Sequence, residues 1–242
     1  MMKIFKFIPN TITSMNLLCG IMGVIFTLKG ELSIAFYLML AGAVCDFCDG
    51  LAARALKAYS ELGKQLDSLA DMVSFGTLPA IMMYKLMTNY HGDEFWVYIP
   101  LLIAVFSALR LAKFNIDERQ SENFIGLATP ACAIICGSFA CYLVNEPQSI
   151  MTTWAETKWF IPVVSVILCG LLVSEIPMFS MKFKKSSAGT AAHKQRIVFL
   201  GIAVAAGITI PVLGLHWSMI PLIIFVAYIL LNVGLYIFTC RR

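Results

Sequence analysis

Apolar residues run along this chain in long, nearly unbroken blocks instead of alternating with polar ones. The blocks cover residues 12–28, 34–58, 66–87, 95–114, 128–144, 159–181, 197–212 and 217–239. Crossing the roughly 30 Å hydrocarbon core of a bilayer takes about 20 largely apolar helical residues. Only a helix satisfies every backbone N–H and C=O within one such segment. The pattern therefore predicts an all-α polytopic membrane bundle of about eight transmembrane helices. Polar and charged positions interrupt the second and third blocks, and the last two are joined closely enough to form a helical hairpin. The longest polar stretch, 182–196, with Ser186, Ser187, Gly189 and Thr190, is expected to be a loop. No internal repeat stands out, so residues 1–242 form one domain: a core over about 1–181, the loop 182–196, and a C-terminal hairpin over 197–239.

Composition strengthens this picture. Hydrophobic residues make up 60% of the chain and charged residues 13%, whereas about a quarter of a soluble domain is charged. Placement of the basic residues then sets orientation, since cytoplasmic loops collect Lys and Arg. With the N-terminus cytoplasmic, only Lys29, Lys85 and Lys158 of the 18 basic residues fall on the far side. Both termini and the charged insert of the second and third blocks then face the cytoplasm, as in a protein of the cytoplasmic membrane. Residues 1–9, with Lys3 and Lys6 among Ile4, Phe5, Phe7 and Ile8, have the character of an interfacial segment. The first block lacks a small-residue cleavage site and is followed at once by further spans, so it is read as a retained helix, not a signal peptide. The net charge of +4 follows from this topology and from contact with anionic lipid, and is not read as nucleic-acid binding. Of the eight cysteines, Cys19, Cys132, Cys136 and Cys169 lie in apolar runs, where thiols pack as small hydrophobes. Cys45 and Cys48 form a C-x2-C, but no second pair stands at zinc-ligand spacing.

Chemistry concentrates in the charged insert. Asp46, Asp49, Asp67 and Asp71 fall within one short stretch of a very apolar chain, and carboxylates near hydrocarbon require compensating charge. Asp46 and Asp49 are three apart and Asp67 and Asp71 four apart, so each pair shares one helix face. Ala53 and Arg54 extend the first face, and Gly63 begins the turn before Asp67. Two adjacent helices would aim four carboxylates into one space, a donor set suited to Mg²⁺ or Mn²⁺. An ion-pair network is the competing reading, but only Arg54 and Lys57 are near in sequence. An ion-coupled transporter, which would bind Na⁺ or H⁺, remains the alternative from a different functional class.

The full arrangement is Asp46-x2-Asp49-Gly50-x2-Ala53-Arg54-x8-Gly63-x3-Asp67-x3-Asp71. It resembles the signature of the CDP-alcohol phosphatidyltransferases at all eight fixed positions. That resemblance implies transfer of a phosphatidyl group from CDP-diacylglycerol to an alcohol, with CMP released, using two divalent ions in a homodimer. It implies metal binding by Asp46, Asp49 and Asp67, with Asp71 as general base for the attacking hydroxyl and a further metal contact. It also implies a CDP-diacylglycerol site formed by Asn10, Thr13, Asp49, Gly50, Ala53, Arg54 and Gly63, although Asn10 and Thr13 would equally suit capping of the first helix.

Outside the signature, Pro9 to Thr13 with Asn16 and Gly20, Ser74 to Gly76 with Pro79, Ser107 to Asn115, and Phe124 to Pro130 resemble the serine-using, membrane-embedded branch of this family. Ala128 stands where that branch usually has proline. The resemblance implies L-serine as acceptor and phosphatidylserine as product. Arg110 and Lys113, three apart at the cytoplasmic end of the fourth block, are candidates to meet the acceptor's anion, with Asn115 and Thr129 beside them. Charge alone does not choose between a serine carboxylate and the phosphate of glycerol 3-phosphate or inositol 1-phosphate. Helix ends at the cytoplasmic face also collect Arg and Lys for topological reasons.

Overall fold

The computed structural model describes residues 7–117, 124–178 and 191–240. Its helices are α1 (Phe7–Leu28), α2 (Leu32–Ala55), α3 (Glu61–Asp71), α4 (Leu78–His91), α5 (Leu102–Ile116), α6 (Thr129–Asn145), α7 (Ile150–Ala155), α8 (Phe160–Val173), α9 (Ala191–Val212) and α10 (Met219–Cys240). A π-helical stretch, Met72–Thr77, joins α3 to α4, and a 3₁₀ stretch, Phe95–Leu101, leads into α5. Two short strands, β1 (Phe124–Ile125) and β2 (Pro177–Met178), pair antiparallel. Phe7–Leu28, Leu32–Ala55, Phe95–Ile116 and Met219–Ile237 are long and apolar enough to cross a membrane, and Thr129–Asn145, Phe160–Val173 and Ile197–Val212 are shorter apolar helices. With the charged run from α3 to α4, these account for the eight helical passes expected from the pattern.

Helix α6 is the central post. Its residues from Ala131 to Leu143 are buried almost without interruption, including Cys132, Cys136 and Cys141. At Gly137 an added Cβ would meet the Phe36 ring at 2.7 Å and the Met39 sulfur at 3.0 Å, so the missing side chain is what lets α2 approach. Phe36, Met39, Phe75, Leu78, Met82 and Met83 complete this core. The C-terminal hairpin is pinned to it by Trp217, whose ring stacks on Phe36 at 5.7 Å and on Tyr37 at 5.8 Å. Trp96 and Trp159 pack against each other at 4.4 Å, and Lys158 beside them pairs with Glu94 at 2.5 Å. That pairing holds the Glu94 carboxyl below the usual glutamate range.

Several boundaries differ from the pattern. The sixth block was expected to be helical to residue 181, but α8 stops at Val173. Ser174 turns extended and its hydroxyl caps the carbonyl of Leu171 at 2.9 Å. Pro177, with no N–H to donate, then enters β2. Hydrophobicity continues past Val173, but the helix does not. The loop expected over 182–196 falls largely outside the described residues, and its last part, from Ala191, is already helical. The interfacial segment expected over 1–9 likewise lies mostly outside them. Helix α7 was not legible in the pattern, because its six residues are too few to show a period.

The second block breaks sooner than hydropathy suggests. Lys57 takes a positive φ of 50°, and its neighbour Ala58 donates its N–H back to Ala53 O at 3.0 Å, closing α2 in a left-handed cap. Ser60 then opens α3 by accepting the Gly63 N–H on its hydroxyl at 3.0 Å, with Glu61 in the positive first turn. Five residues, Leu56 to Ser60, thus reverse the chain and set α3 against α1.

Candidate active site

Both helices that carry the aspartates pack on α1, so α1 lines one wall of the site. Asp46, Asp49 and Asp67 each offer a carboxylate oxygen, and these oxygens lie within 4.8 Å of one another. Asp49 is almost fully buried and accepts a hydrogen bond from the Thr13 hydroxyl at 2.5 Å. One buried oxygen of Asp67, Oδ1, has no hydrogen-bond partner. Three hard oxygen donors converging from two helices, one of them unsatisfied, fit a divalent cation of the Mg²⁺ class. Asp71 stands apart from this trio: its Oδ1 accepts from the Asn16 amide at 3.2 Å.

Beside the trio lies a cavity of about 590 Å³. Asn10, Thr13, Asp49, Gly50, Ala53, Arg54 and Gly63, the seven residues expected at the CDP-diacylglycerol site, all line it, together with Pro9, Ala58, Tyr59, Ser60, Glu61, Lys64 and Asp67. Asn10 and Thr13 lie inside α1, not at its start, and so are not caps. Gly63 sits within the first turn of α3, not before it, and its lack of a side chain has a specific use. A Cβ there would fall 2.9 Å from Asn10 Oδ1 and 3.0 Å from Ser60 Oγ. Gly50 and Arg54 line the cavity side by side, a Cβ at Gly50 coming no closer than 4.0 Å to the guanidinium.

The acceptor candidates separate. Arg110 is buried, at 7% exposure, donating Nη1 to Thr129 Oγ1 at 3.2 Å and standing over the Phe114 ring at 5.5 Å, while its Nε has no partner. Asp71 is within its electrostatic range. Lys113 points elsewhere: it is 41% exposed and pairs with Glu175 at 3.5 Å, tying α5 to the segment after α8. Asn115 donates to the Ser68 hydroxyl at 2.9 Å and so braces α3. Thr129 and Arg110 are therefore brought together, and Lys113 and Asn115 are engaged in links between elements.

One residue escaped the sequence reading as a site residue. Asn16 is fully buried and holds Asp71, while its own backbone carbonyl accepts from the Ser74 hydroxyl at 2.9 Å. A signal for it existed: Asn10, Thr13 and Asn16 recur every three residues in the first half of α1 and so lie along one face. The π-helical stretch follows Asp71 directly. Pro79 cannot donate to the helical ladder and its ring crowds the preceding turn, and the widened turn from Met72 relieves this, with the Thr77 hydroxyl bonding Met72 O at 3.1 Å. Such bulges commonly occur at functional sites.

The family model for CDP-alcohol phosphatidyltransferases matches residues 6–171. The chain belongs to this family. Together with its apolar helices, this makes it an integral membrane protein. Among curated proteins, the chain is 33% identical over 184 residues to the CDP-diacylglycerol–serine O-phosphatidyltransferase of Mycobacterium leprae, covering 73% of this chain and 59% of that one. It is 36% identical over 125 residues to the protein of the same name from Bacillus subtilis, covering 52% and 70%. It is 33% identical over 141 residues to the archaetidylserine synthase of Methanothermobacter thermautotrophicus, covering 57% and 60%. The aligned part is thus about six-tenths of the Mycobacterium leprae and Methanothermobacter proteins. In this chain, Ala128 takes φ −65° and ψ 136°. That φ is the value a proline ring would impose, so the departure at this position leaves the backbone in the same conformation.

Proposed function

We propose that this protein transfers the phosphatidyl group of CDP-diacylglycerol to the hydroxyl of L-serine, giving phosphatidylserine and CMP. The observation that carries the reading is the cavity beside the aspartate trio, lined by all seven residues expected at the CDP-diacylglycerol site, with the buried Arg110 guanidinium, its Nε unpaired, in electrostatic range of Asp71 to meet an acceptor's anion. The shared word in the relatives' names, serine, supports the same reading.

The residues divide the work. Asn10, Thr13, Gly50, Ala53, Arg54 and Gly63 receive the nucleotide end of CDP-diacylglycerol in the cavity, with Arg54 offering a planar fork to phosphate. Asp46, Asp49 and Asp67, with Asp71 as a further ligand, would hold Mg²⁺ or Mn²⁺, which when bound would neutralise charge on the pyrophosphate. Arg110 binds the serine carboxylate. Asp71, fixed by Asn16, accepts the proton as the serine oxygen forms its bond to the lipid-side phosphorus. The bond from that phosphorus to the bridging oxygen breaks, and its electron pair leaves on CMP. Asp71's strength as a base comes from its position at the hydroxyl.

The same reading places the site and both termini on the cytoplasmic side of the cytoplasmic membrane, where serine is available, and takes the enzyme as a homodimer. The deciding measurement is CMP release from CDP-diacylglycerol with L-serine, glycerol 3-phosphate and inositol 1-phosphate at matched concentrations. Serine should be strongly preferred. Preference for a phosphorylated acceptor would remove the serine assignment, and cation-coupled flux without CMP release would replace the enzyme with a transporter.

A further inference from the structure

Away from the aspartates, the bundle has a second cavity, of about 160 Å³. Ile135 and Phe139 of α6, Val164 and Leu168 of α8, and Leu222 and Val226 of α10 line it, and none of its surface is polar. The two residues of each pair are four apart, so they stack one turn above the other and the recess runs along the helix axes. With Phe160, one turn before Val164, the wall supplied by α8 extends over about 12 Å.

Helix packing explains the opening. α10 packs along α6 and α8 along α5, while α8 and α10 do not pack along each other. The recess therefore opens between α8 and α10 onto the apolar outer surface. Val226, on its rim, is 40% exposed, and Val163, Val166 and Ile167 on α8 are exposed beside it. Successive passes alternate in direction, so α8 enters at Phe160 from the end of the bundle opposite Asp71. Exposed Trp154 and Trp159 mark the membrane interface at that end, Trp154 lying against the Phe160 ring at 6.1 Å.

An apolar cavity of about 150 Å³ stays free of water and takes up apolar molecules. What touches this face of an integral membrane protein is hydrocarbon, and lipid tails lie in the direction along which the recess runs. We propose that the cleft between α8 and α10 is a binding site for one acyl chain of a bilayer phospholipid, entering from the leaflet opposite the aspartates. The chain exchanges contact with other tails for contact with three helices, and fills space that the side chains leave empty. It also bridges α8 to α10, joining the terminal hairpin to the core where the helices themselves do not pack together. This site is separate from the nucleotide cavity, whose residues come from α1, α2, α3 and the turn between the last two.

The test uses the full chain in phosphatidylglycerol bilayers that contain a phosphatidylglycerol with a mid-chain diazirine. After irradiation, adducts are mapped by mass spectrometry. Wild type should carry them on Ile135 or Phe139, buried positions that lipid outside the cleft does not reach, as well as on exposed Val163. Val164→Phe fills the recess, and Val226→Phe fills its mouth should the first variant fail to fold. In the filled variant adducts on α6 should fall at least about fivefold, while those on Val163 stay within about twofold. In detergent, added phosphatidylglycerol should raise the melting temperature of wild type and of the outer-face variant Val163→Phe by at least about 3 °C, and that of the filled variant by less than about 1 °C. Absence of α6 adducts in wild type, or equal α6 labelling in the filled variant, overturns the lipid site. Labelling of α6 that appears only after dilution to monomers seats a second copy over the cleft and overturns it too. Neither readout involves CMP release, so the function proposed above stands or falls separately.

Discussion

Replacing Gly63 with alanine should separate stability from substrate binding at the cavity. The new Cβ would lie 2.9 Å from Asn10 Oδ1 and 3.0 Å from Ser60 Oγ, both closer than a methyl group tolerates. Both neighbours are ends of side chains, so the fold yields by turning them away. Displacing Ser60 weakens the cap of α3, worth about 1 kcal/mol. Alanine in place of glycine in a helix returns about 1 kcal/mol, so net stability should change by less than about 1 kcal/mol. The Asn10 amide, turned from the cavity, loses a contact to the nucleotide end of CDP-diacylglycerol. A neutral hydrogen bond at about 0.5–1.5 kcal/mol corresponds to roughly a 2- to 13-fold rise in KM for that substrate. Thermal unfolding in detergent reads the first quantity, and CMP release at saturating serine with varied CDP-diacylglycerol reads the second. An unchanged KM would refute the role of Asn10, and a loss of several kcal/mol in stability would refute the claim that the clash is absorbed by side-chain ends.

Chelation should abolish CMP release and Mg²⁺ or Mn²⁺ should restore it, with Asp46→Ala, Asp49→Ala and Asp67→Ala each close to inactive; full turnover in chelator would sink the metal reading. Asp71→Asn should lower the saturated rate by about 10² or more while CDP-diacylglycerol still binds, and a retained rate with lost nucleotide binding would reverse its role. Arg110→Ala should raise the serine KM about 10- to 150-fold for one charge-assisted contact, against little change for Lys113→Ala, which a serine titration of both variants checks. A cysteine at position 59 in a cysteine-free background should label only from the cytoplasmic side and one at Gly92 only from the other, and reversed labelling would invert the topology. Ala128→Pro should stabilise the protein by about 0.4–1 kcal/mol, since the backbone already holds a proline-like φ; a lower melting temperature would contradict this.

What could be read along the chain was whatever depends on near neighbours. Hydrophobic block length marked the helical passes, because a bilayer demands a fixed run of apolar residues. The three- and four-residue spacings of the aspartates put each pair on one face, because helix geometry is local. The seven residues expected at the nucleotide site do line one cavity, since α1, α2 and α3 are consecutive and their packing follows from short turns. Even so, the end of α8 was missed: apolar residues continue after Val173, and block length does not register a capping hydroxyl or a proline entering a strand.

Spacing could not tell Arg110 from Lys113. Both are basic, both lie on α5, and they stand three residues apart, yet one is buried against Thr129 and the other is held at the surface by Glu175. That choice depends on what α6 and the segment after α8 bring to each face of α5. Asn16 likewise gains its meaning only from Asp71, which lies 55 residues further on. The amino-acid sequence by itself determined the membrane class, the helical passes and the aspartate motif, because each rests on periodicity and on the cost of charge in hydrocarbon. The tertiary structure alone decided which polar side chains share a space, because partnership among residues of different helices is set by packing, and packing has no period along the chain.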